Sequence, residues 1–481
     1  MNRIHLAAAA TIVAGWNAPA LAGPLSDAES GAIIQSVDRL TPSLASTAQD
    51  VWRLAEVGFK ENKSSALLQK QLKDAGFRIE TGISGIPTAF VATAGSGGPV
   101  LALLAEYDAL PGLSQDKAGE RKSLGGIAGH ACGHNLLGAA SVTAAIALKQ
   151  WLERTGTKGT IRLYGSPAEE GGFAKVYFVR DGLFKDVDAA LTWHPSGANS
   201  ASQGTMLSML TAKFRFDGVA SHAAAAPDRG RSALDAVEIH NVAVNYLREH
   251  VPQETRIHYT ITNGGDQPNI VPAHAESFYY IRHYDPAVVQ DVWDRVQKAA
   301  EGAALATGTK VTVEVIGGSY AHLPNDALGK IVYANLEKVG GYTYTPEEAA
   351  YARQISASLN AKTAPDPSRV EPYQFGRKSS ASSDVGDITW VVPTSGLGAA
   401  TWVPGTAPHS WQAASASGTT IGVKGAVVAA KTLALTGAQL FQSPDALAAA
   451  RAEFQKSRGA DFVYKPLLGD RAPALDYTDK P

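Results

Sequence analysis

The run Gly-His-Ala-Cys-Gly-His-Asn at residues 129–135 constrains this chain more than any other stretch of its sequence. It contains Cys132, the only cysteine, with a histidine two positions away on each side, His130 and His134. A thiolate and imidazoles at this spacing suit zinc or a similar transition metal if the backbone turns between them. Gly133 permits such a close approach. The alternative is a buried structural cysteine with incidental histidines, and His130 itself is better explained as a neighbour than as a ligand.

The composition limits the kinds of protein that this chain can form. A single cysteine rules out an intrachain disulfide, so stability must come from core burial and from bound metal. The 43 basic and 45 acidic residues nearly balance, which gives no support for nucleic-acid binding. A chain of 481 residues is long enough for two domains.

Residues 1–22 have the pattern of a secretory signal peptide. Arg3 supplies a positive start, residues 6–15 are apolar, and Ala20-Leu21-Ala22 is a small-x-small cleavage signal. The alternative is an uncleaved anchor, but the apolar run is short for a bilayer span. We therefore expect cleavage after Ala22 and a soluble, exported protein that is periplasmic or secreted.

Strand-length apolar runs alternate with helical patterns through the first 200 residues. Three such runs are Val100–Ala105, Thr160–Gly165 and Ala189–Trp193, and residues 51–76 are expected to form a helix. This alternation predicts an α/β fold with a doubly wound, mainly parallel sheet. Polar residues stand at or just after the ends of the three runs: Glu106, Asp108, Glu169, Glu170 and His194. Since ligands of such sheets bind beyond the carboxyl ends of the strands, these residues predict one shared site.

The pattern changes near residue 205. From there to residue 318 the order is strand, helix, strand, strand, helix, strand, which predicts a small α+β sandwich with an antiparallel sheet. We interpret residues 205–318 as an inserted domain. Residues 23–204 and 319–481 then form the metal-binding catalytic domain.

Adjacent carboxylates divide the chemistry of the predicted site. Glu169 and Glu170 face differently, so one can bind metal while the other stands beside an attacking water. A solvated acidic turn is the alternative. A lone histidine such as His194 is more often structural, but its place at a strand end favours a ligand. His409 lies in a Pro/Gly-rich loop, and the residues alone give no reason to prefer it to His322.

Two residues of the inserted domain are open to two interpretations. His222 could stabilise a tetrahedral oxyanion if it reaches the site, or it could be a surface histidine that caps a helix. Asn269, in a rigid Pro-containing loop, could bind a carboxylate or simply hold a turn.

Taken in order, eight motifs resemble those of a known family. They are AEYDALP at 105–111, GHACGH at 129–134, PAEEGG at 167–172, WHP at 193–195, SHA at 221–223, PNIVP at 268–272, SDVGD at 383–387 and PHS at 408–410. Over about residues 30–440 the chain resembles the metallo-aminoacylase/carboxypeptidase family of co-catalytic metallopeptidases. Within it, the chain is similar to the amidohydrolase branch that includes aminobenzoyl-glutamate, auxin-conjugate and N-acyl-amino-acid hydrolases.

The resemblance implies a role for each matching residue. It implies two divalent ions, zinc or manganese, and the metal ligands Cys132, His134, Glu170, His194 and His409. Glu169 becomes the general base. His222 becomes the oxyanion-stabilising histidine, which the partner of a homodimer supplies from its inserted domain.

The same resemblance implies further groups around the substrate and the metals. Asn269 and Arg282 would face the substrate carboxylate, and Asp108 and Asp384 would orient metal ligands. One position departs from the pattern, because other branches begin the first motif with a metal-binding histidine where this chain has Glu106. Cys132 compensates for that loss. Thiolate favours zinc and oxygen donors favour manganese, so both metals stay open.

The expected function is that of an exported, dimeric two-metal amidohydrolase without a membrane span. It would cleave the amide bond between an acyl or aroyl group and an amino acid with a free carboxylate. Substrates of three classes stay open: aminobenzoyl-glutamate-like fragments, N-acyl amino acids, and aromatic amide conjugates. One alternative is a periplasmic binding protein for amino acids or their conjugates, which predicts no tightly bound metal. Another is a family member that has lost catalysis and serves only as the partner of an active chain.

Overall fold

The structure is a computed structural model that describes residue 23, residues 25–360 and residues 366–479. The signal peptide predicted for residues 1–22 lies outside the described residues. The strands, in chain order, are β1 (Arg78–Thr81), β2 (Phe90–Ser96), β3 (Val100–Ala105), β4 (Leu110–Pro111), β5 (Ala128–Gly129), β6 (Gly159–Gly165), β7 (Ala189–Ser196), β8 (Gln203–Thr205), β9 (Ser208–Asp217), β10 (Arg256–Asn263), β11 (His274–His283), β12 (Lys310–Ser319), β13 (Phe375–Lys378) and β14 (Thr394–Ala400).

The helices lie between these strands and after them. They are α1 (Asp27–Leu54), α2 (Asn62–Asp74), α3 (His134–Thr155), α4 (Ala174–Arg180), α5 (Ala233–Leu247), α6 (Pro286–Thr307), α7 (Asp326–Val339), α8 (Pro346–Ser358), α9 (Val385–Thr389), α10 (Trp411–Ser417), α11 (Thr420–Gln442) and α12 (Pro444–Arg458). Short 3-10 helices occupy Ile83–Gly85, Pro227–Arg229 and Arg248–His250.

A six-stranded sheet in the order β1-β2-β6-β3-β7-β14 forms the centre of the larger domain. β6, β3, β7 and β14 run parallel to one another, while β1 and β2 add an antiparallel edge. The predicted α/β class with a mainly parallel sheet is confirmed. As a consequence, β6, β3, β7 and β14 all end at the same edge of the sheet.

The apolar sequence of β3 follows from burial on both faces of the sheet. Leu101 and Leu103 pack into the core that contains α1, α3 and α11, whereas Ala102 and Leu104 pack into a second core with α4. Strand residues alternate between faces, so a strand that is covered on both sides must be apolar throughout.

The long helix α11 is apolar enough by length and composition to cross a membrane. Within the protein, however, 78% of its most apolar 18-residue window is buried. Its neighbours are α1, α3 and α7. A helix that is apolar on nearly all sides is expected where other helices surround it, and α11 is therefore a core helix of this domain.

The inserted unit is a four-stranded antiparallel sheet in the order β10-β11-β9-β12, covered on one face by α5 and α6. Its core packs Phe214 and Tyr279 of the sheet against Trp293 of α6. β10 forms an edge of this sheet, which becomes important below.

The helix expected over residues 51–76 is wrong, because the chain breaks between α1 and α2. Ala55 and Phe59 adopt left-handed backbone angles, with φ of 43° and 63°. Apolar residues recur at helical spacing on both sides of the break, so periodicity alone could not locate it. The break places Glu61 at 0% exposure against the site loops.

Residues 459–479, which carry no regular pattern, form an irregular but well-packed segment. The ring of Tyr477 lies 5.6 Å from that of Phe59 in an edge-to-face arrangement. The hydroxyl of Thr478 donates a hydrogen bond to the carbonyl of Gly58. The segment thereby covers the connection between α1 and α2.

Candidate metal centre

The carboxyl ends of adjacent parallel strands assemble the site. β3 leads into Glu106, β6 leads into the loop of Glu169 and Glu170, and β7 carries His194 near its end. Since β6, β3 and β7 are neighbours in the sheet, their ends bring these groups together. The shared placement expected from the sequence is what the structure contains.

A tight turn at Gly133 aims the thiol and an imidazole at the same point. Gly133 precedes α3 with a φ of 77°, and a Cβ at this position would lie 2.8 Å from side-chain atoms of Pro195. Only glycine fits both the angle and the space. The Sγ atom of Cys132 consequently lies 3.4 Å from Nε2 of His194.

Potential ligand atoms converge in three overlapping groups, and within each group they lie within 4.8 Å of one another. The groups are Cys132, His134 and His194; Cys132, Glu170 and His409; and Glu106, His134 and Glu169. All five ligands implied by the resemblance therefore belong to one cluster. Sharing of Cys132 between two groups is the arrangement that two neighbouring metal ions require.

The donor set fits divalent metal ions on a structural ground as well. Oε2 of Glu106, Nε2 of His134 and Oε1 of Glu170 are buried without a hydrogen-bond partner in the described part of the chain. Buried polar atoms are rarely left unpaired. Thiol, imidazole and carboxylate groups whose free atoms point together are suited to cations of the zinc and manganese type.

His409 reaches the cluster through an unusual backbone. Its φ is 59°, a left-handed conformation that is costly for a residue with a side chain and is concentrated at functional sites. Its backbone N–H donates to the carbonyl of Ala131 at 3.0 Å, and its Nε2 lies 3.2 Å from Oε2 of Glu170. The structure thus separates His409 from His322, which belongs to none of the ligand groups found among the described residues.

His130 stands beside the cluster rather than in it. Its Nε2 lies 3.0 Å from the backbone carbonyl of Val51. Burial lowers the pKa of His130 to about 4, so the ring is neutral at physiological pH. The interpretation of His130 as a neighbour agrees with this geometry.

Asp108 orients two of the ligands. Its Oδ1 lies 2.8 Å from Nδ1 of His134, and its Oδ2 accepts the backbone N–H of Glu170 at 3.0 Å. Although burial opposes ionisation, the neighbouring His134 lowers the pKa of Asp108. A charged Asp108 directs the free Nε2 of His134 towards the cluster, which is the usual role of a carboxylate behind a metal-bound histidine.

Lys175 is a central residue of the site that the sequence analysis missed. Its Nζ lies 2.8 Å from Oε1 of Glu106 and 2.6 Å from Oδ1 of Asp384, and its side chain is fully buried. Asp384 therefore contacts Lys175 directly and acts on the cluster through Glu106. The one available signal was a charged residue inside the apolar run of α4.

Glu61 is a second missed residue, and it supports the loop that carries the acidic pair. Its Oε1 accepts the backbone N–H of Ala168 at 2.9 Å, and its Oε2 accepts the hydroxyl of Thr88 at 3.0 Å. Ala168 has a left-handed φ of 55°, so its loop needs such support. Burial, together with the charge of Asp108, raises the pKa of Glu61 to about 8.

Glu169 has the environment of a proton acceptor. It belongs to the ligand group with Glu106 and His134 but is not paired with a lysine or arginine among the described residues. Burial raises the pKa of Glu169 well above its usual range, and the charges of Glu106 and Glu170 add to that shift. A carboxylate whose basicity is increased in this way is better suited to take a proton.

The residues expected from the inserted domain lie outside this cluster. His222 is exposed, and its Nδ1 accepts backbone N–H groups at 3.2 Å from Ala224 and from Ala225. The carbonyl of Asn269 accepts the N–H of Ala223 at 3.0 Å, so His222 and Asn269 belong to the same pair of loops. Neither is part of a ligand group.

Arg282 lies on β11 in a pocket of about 580 Å³, together with Arg256 and His258 of β10 and with Ser380 of the larger domain. The Nε atom of Arg282 is buried and has no partner in the described ranges. The pocket is therefore rich in hydrogen-bond donors and in positive charge.

Comparisons with known proteins identify the family of this chain. A model described as a peptidase dimerisation domain matches residues 207–307, which fall in the inserted unit. The chain is 41% identical to one of the two subunits of p-aminobenzoyl-glutamate hydrolase from Escherichia coli (strain K12) over 456 residues, which cover 89% of this chain and 95% of that protein. The chain belongs to the M20 peptidase family.

Solved structures agree with the M20 fold. A dinuclear metal-binding peptidase of the M20 family from Bacillus subtilis matches with a TM-score of 0.57 and 18% identity, over 84% of this chain and 99% of the other. An aminobenzoyl-glutamate utilization protein from Klebsiella pneumoniae matches with a TM-score of 0.59 and 18% identity, over 83% and 97%. The family and the enzyme class expected from the sequence, a metal-dependent amidohydrolase, are confirmed. A binding protein without catalysis is correspondingly not supported.

Replacing Lys175 by methionine should destabilise the protein strongly, because Glu106 and Asp384 would then be buried without their common cation. Breaking a buried pair from one side typically costs about 3–5 kcal/mol. Urea unfolding of the Lys175→Met variant, followed by circular dichroism, measures this loss.

Two control variants define the result. Lys149→Met breaks a pair whose partner, Glu153, is 61% exposed, so the free energy of unfolding should change by less than about 1 kcal/mol. Adding Asp384→Asn to Lys175→Met should restore part of the stability. A Lys175→Met variant as stable as the original protein would contradict the buried ion pairs.

Proposed function

We propose that this M20 enzyme hydrolyses the amide bond between an acyl or aroyl group and an amino acid with a free carboxylate. The observation that carries the proposal is the convergence of Cys132, three imidazoles and two adjacent carboxylates at the strand ends. The similar E. coli protein is named as part of a p-aminobenzoyl-glutamate hydrolase, so conjugates of this kind are the first substrates to examine.

The residues of the cluster divide the work of hydrolysis. Two divalent ions in these positions would polarise the scissile carbonyl and make water a better nucleophile. Glu169 takes the proton of the attacking water and transfers it to the leaving amine. Asp108 holds His134 in orientation, and Lys175 with Asp384 fixes Glu106.

The metals are zinc or manganese. The thiolate of Cys132 favours zinc, while the carboxylates of Glu106, Glu169 and Glu170 suit manganese as well. Burial and the nearby Glu170 raise the pKa of the Cys132 thiol well above its usual range, so binding of the metal is what would deprotonate it.

Arg282 and Asn269 are the groups proposed for the substrate carboxylate. The guanidinium of Arg282 faces a pocket and retains an unpartnered Nε, which can bind a carboxylate. Asn269 lies beside His222 on the exposed loops of the inserted domain. These loops would meet a substrate only when a second copy of the chain presents them to it.

The homodimer forms through the inserted domain. On α5, Ile239, Val242 and Tyr246 recur at helical spacing and are 42%, 51% and 72% exposed. On the neighbouring edge strand β10, Ile261 is 42% exposed. An apolar stripe beside an open strand edge is the surface that a second copy would cover, and the match to a peptidase dimerisation domain supports this. His222 then reaches the partner's metal cluster.

Mixed dimers test whether His222 acts across the interface. Glu169→Gln and His222→Ala should each be nearly inactive alone. Random pairing of the two chains in a twofold dimer should restore about a quarter of the original activity, because half of the dimers then contain one intact site. Steady-state hydrolysis of N-benzoyl-glutamate by the co-expressed variants measures the recovery.

The matched control mixes Glu169→Gln with Cys132→Ser. Both changes lie in the metal cluster of the chain that carries them, so no pairing can create an intact site and activity should stay absent. If the Glu169→Gln and His222→Ala mixture is equally inactive, His222 does not act in the partner's site.

Glu169→Gln also tests the catalytic proposal directly. The amide is nearly the size of the carboxylate but cannot accept the proton, so kcat should fall by about 10²–10⁴-fold. Elemental analysis should find the metal content unchanged. Glu153→Gln, an exposed change on α3, should leave both values unchanged. Full turnover by Glu169→Gln would remove the base from the mechanism.

The enzyme is exported before it acts. The proposal depends on the signal-like pattern of residues 1–22, with its cleavage signal at Ala20-Leu21-Ala22. A protein purified from the periplasm or the medium should therefore begin at Gly23, which N-terminal sequencing would detect. Retention of residue 1 would contradict export by this route.

A further inference from the structure

A pocket of about 430 Å³ adjoins the metal cluster and has no role in the account so far. Glu106 and His194 form its inner wall. Gly396 and Gly398 of β14 line one side, where the lack of side chains leaves space open. Segments 200–206 and 377–383 close the other side. A group attached to the scissile amide would reach this space directly.

Four serines present hydroxyl hydrogens to this pocket. Each serine oxygen already accepts a backbone N–H: Ser200 from Ser202 at 3.3 Å, Ser202 from Gln374 at 3.1 Å, Ser379 from Ala381 at 3.3 Å, and Ser383 from Val385 at 3.2 Å. None of the four donates its own hydroxyl hydrogen to an acceptor in the described part of the chain. A hydroxyl whose oxygen is engaged in this way offers its hydrogen to a ligand.

Arg377 adds an uncommitted positive charge. It lines the pocket from β13, and its guanidinium makes no ion pair or hydrogen bond within residues 25–360 and 366–479. The neighbouring Lys378 differs, because its Nζ lies 2.8 Å from Glu254 and 4.8 Å from the centre of the Tyr284 ring. Arg377 is therefore free to bind a ligand.

The pocket contains few groups that would repel an anion. Among the described residues that line it, Glu106 is the only one with a carboxylate, and that carboxylate is held by Lys175 at 2.8 Å. Hydroxyl donors and one guanidinium, without a free acceptor among the charged side chains, match a carboxylate.

The two cationic pockets share their walls. Met206 and Ser379 line the pocket of Arg377, and the next residues along the chain, Leu207 and Ser380, line the pocket of Arg282. One molecule with two carboxylates can therefore span both. Since the proposed function assigns the carboxylate next to the released amine to Arg282, the second carboxylate belongs to the same amino acid.

We propose that the Arg377 pocket binds the side-chain carboxylate of the released amino acid, so that the substrates are amides of dicarboxylic amino acids. This inference depends on the proposed function. It goes further by naming the class of amino acid and the residue that selects it.

The test compares N-benzoyl-glutamate with N-benzoyl-glutamine, which differ only in the charge of the side chain. In Arg377→Met, kcat/KM for the glutamate conjugate should fall about 10–100-fold, as expected for the loss of a charged hydrogen-bonded pair. The value for the glutamine conjugate should change by less than about 3-fold. Arg377→Lys should retain part of the preference, and Arg353→Met, an exposed change on α8 outside the pocket, should retain all of it.

A binding measurement keeps this test independent of turnover. Calorimetry should detect tighter binding of L-glutamate than of L-glutamine, and Arg377→Met should abolish that difference. If neither conjugate is hydrolysed but the binding difference depends on Arg377, the proposed function fails and the pocket assignment stands. Equal losses for both conjugates, or a binding difference that persists in Arg377→Met, would overturn the assignment.

Placement of the charge is tested with acidic acyl groups. N-succinyl-leucine carries its second carboxylate on the acyl side, and N-butanoyl-leucine lacks it. Arg377→Met should leave the ratio of their kcat/KM values unchanged. A selective loss for N-succinyl-leucine would show that the pocket receives the acyl group instead, which contradicts the proposal.

Discussion

Burial of many carboxylates around a single ammonium group is the constraint on which this site depends. The buried acidic residues at the strand ends and behind them are Glu61, Glu106, Asp108 and Asp384. Glu169 and Glu170 lie beside them in the ligand groups. Lys175 is the one fully buried cation among them, and it pairs with only two of the six. Charges withdrawn from water must be compensated, and two divalent cations among the unpaired oxygen, nitrogen and sulfur atoms would provide what Lys175 cannot.

The fold supplies the positions, and local backbone strain supplies the directions. Parallel strands β6, β3, β7 and β14 deliver their following residues to one edge of the sheet. The turn at Gly133 and the left-handed conformations of Ala168 and His409 then aim the side chains inwards. Hydrogen bonds from the backbone of residues 168 and 170 to Glu61 and Asp108 hold the acidic loop in place. Precise donor placement thus follows from elements that are themselves fixed by packing.

Much of the site could be predicted from the sequence, because its signals are local. Apolar runs ending in Glu106, Glu169 and His194 predict both the sheet and the edge where ligands bind, and the step from Cys132 to His134 predicts the turn. Lys175 and Glu61 could not be found in this way, since their roles arise from partners more than 60 or 100 positions away. Glu61 also lay in a helix that does not form. Arg377 became visible only through a pocket and the absence of a partner within the described residues.

The account as a whole depends on the sulfur of Cys132 being a metal ligand, and X-ray absorption at the zinc edge measures this most directly. Zinc-loaded protein should show a sulfur neighbour at about 2.3 Å together with nitrogen and oxygen neighbours at about 2.0–2.2 Å. The Cys132→Ser variant should lose the sulfur contribution. A spectrum of the original protein without sulfur, or one that Cys132→Ser leaves unchanged, would contradict the dinuclear cluster described here.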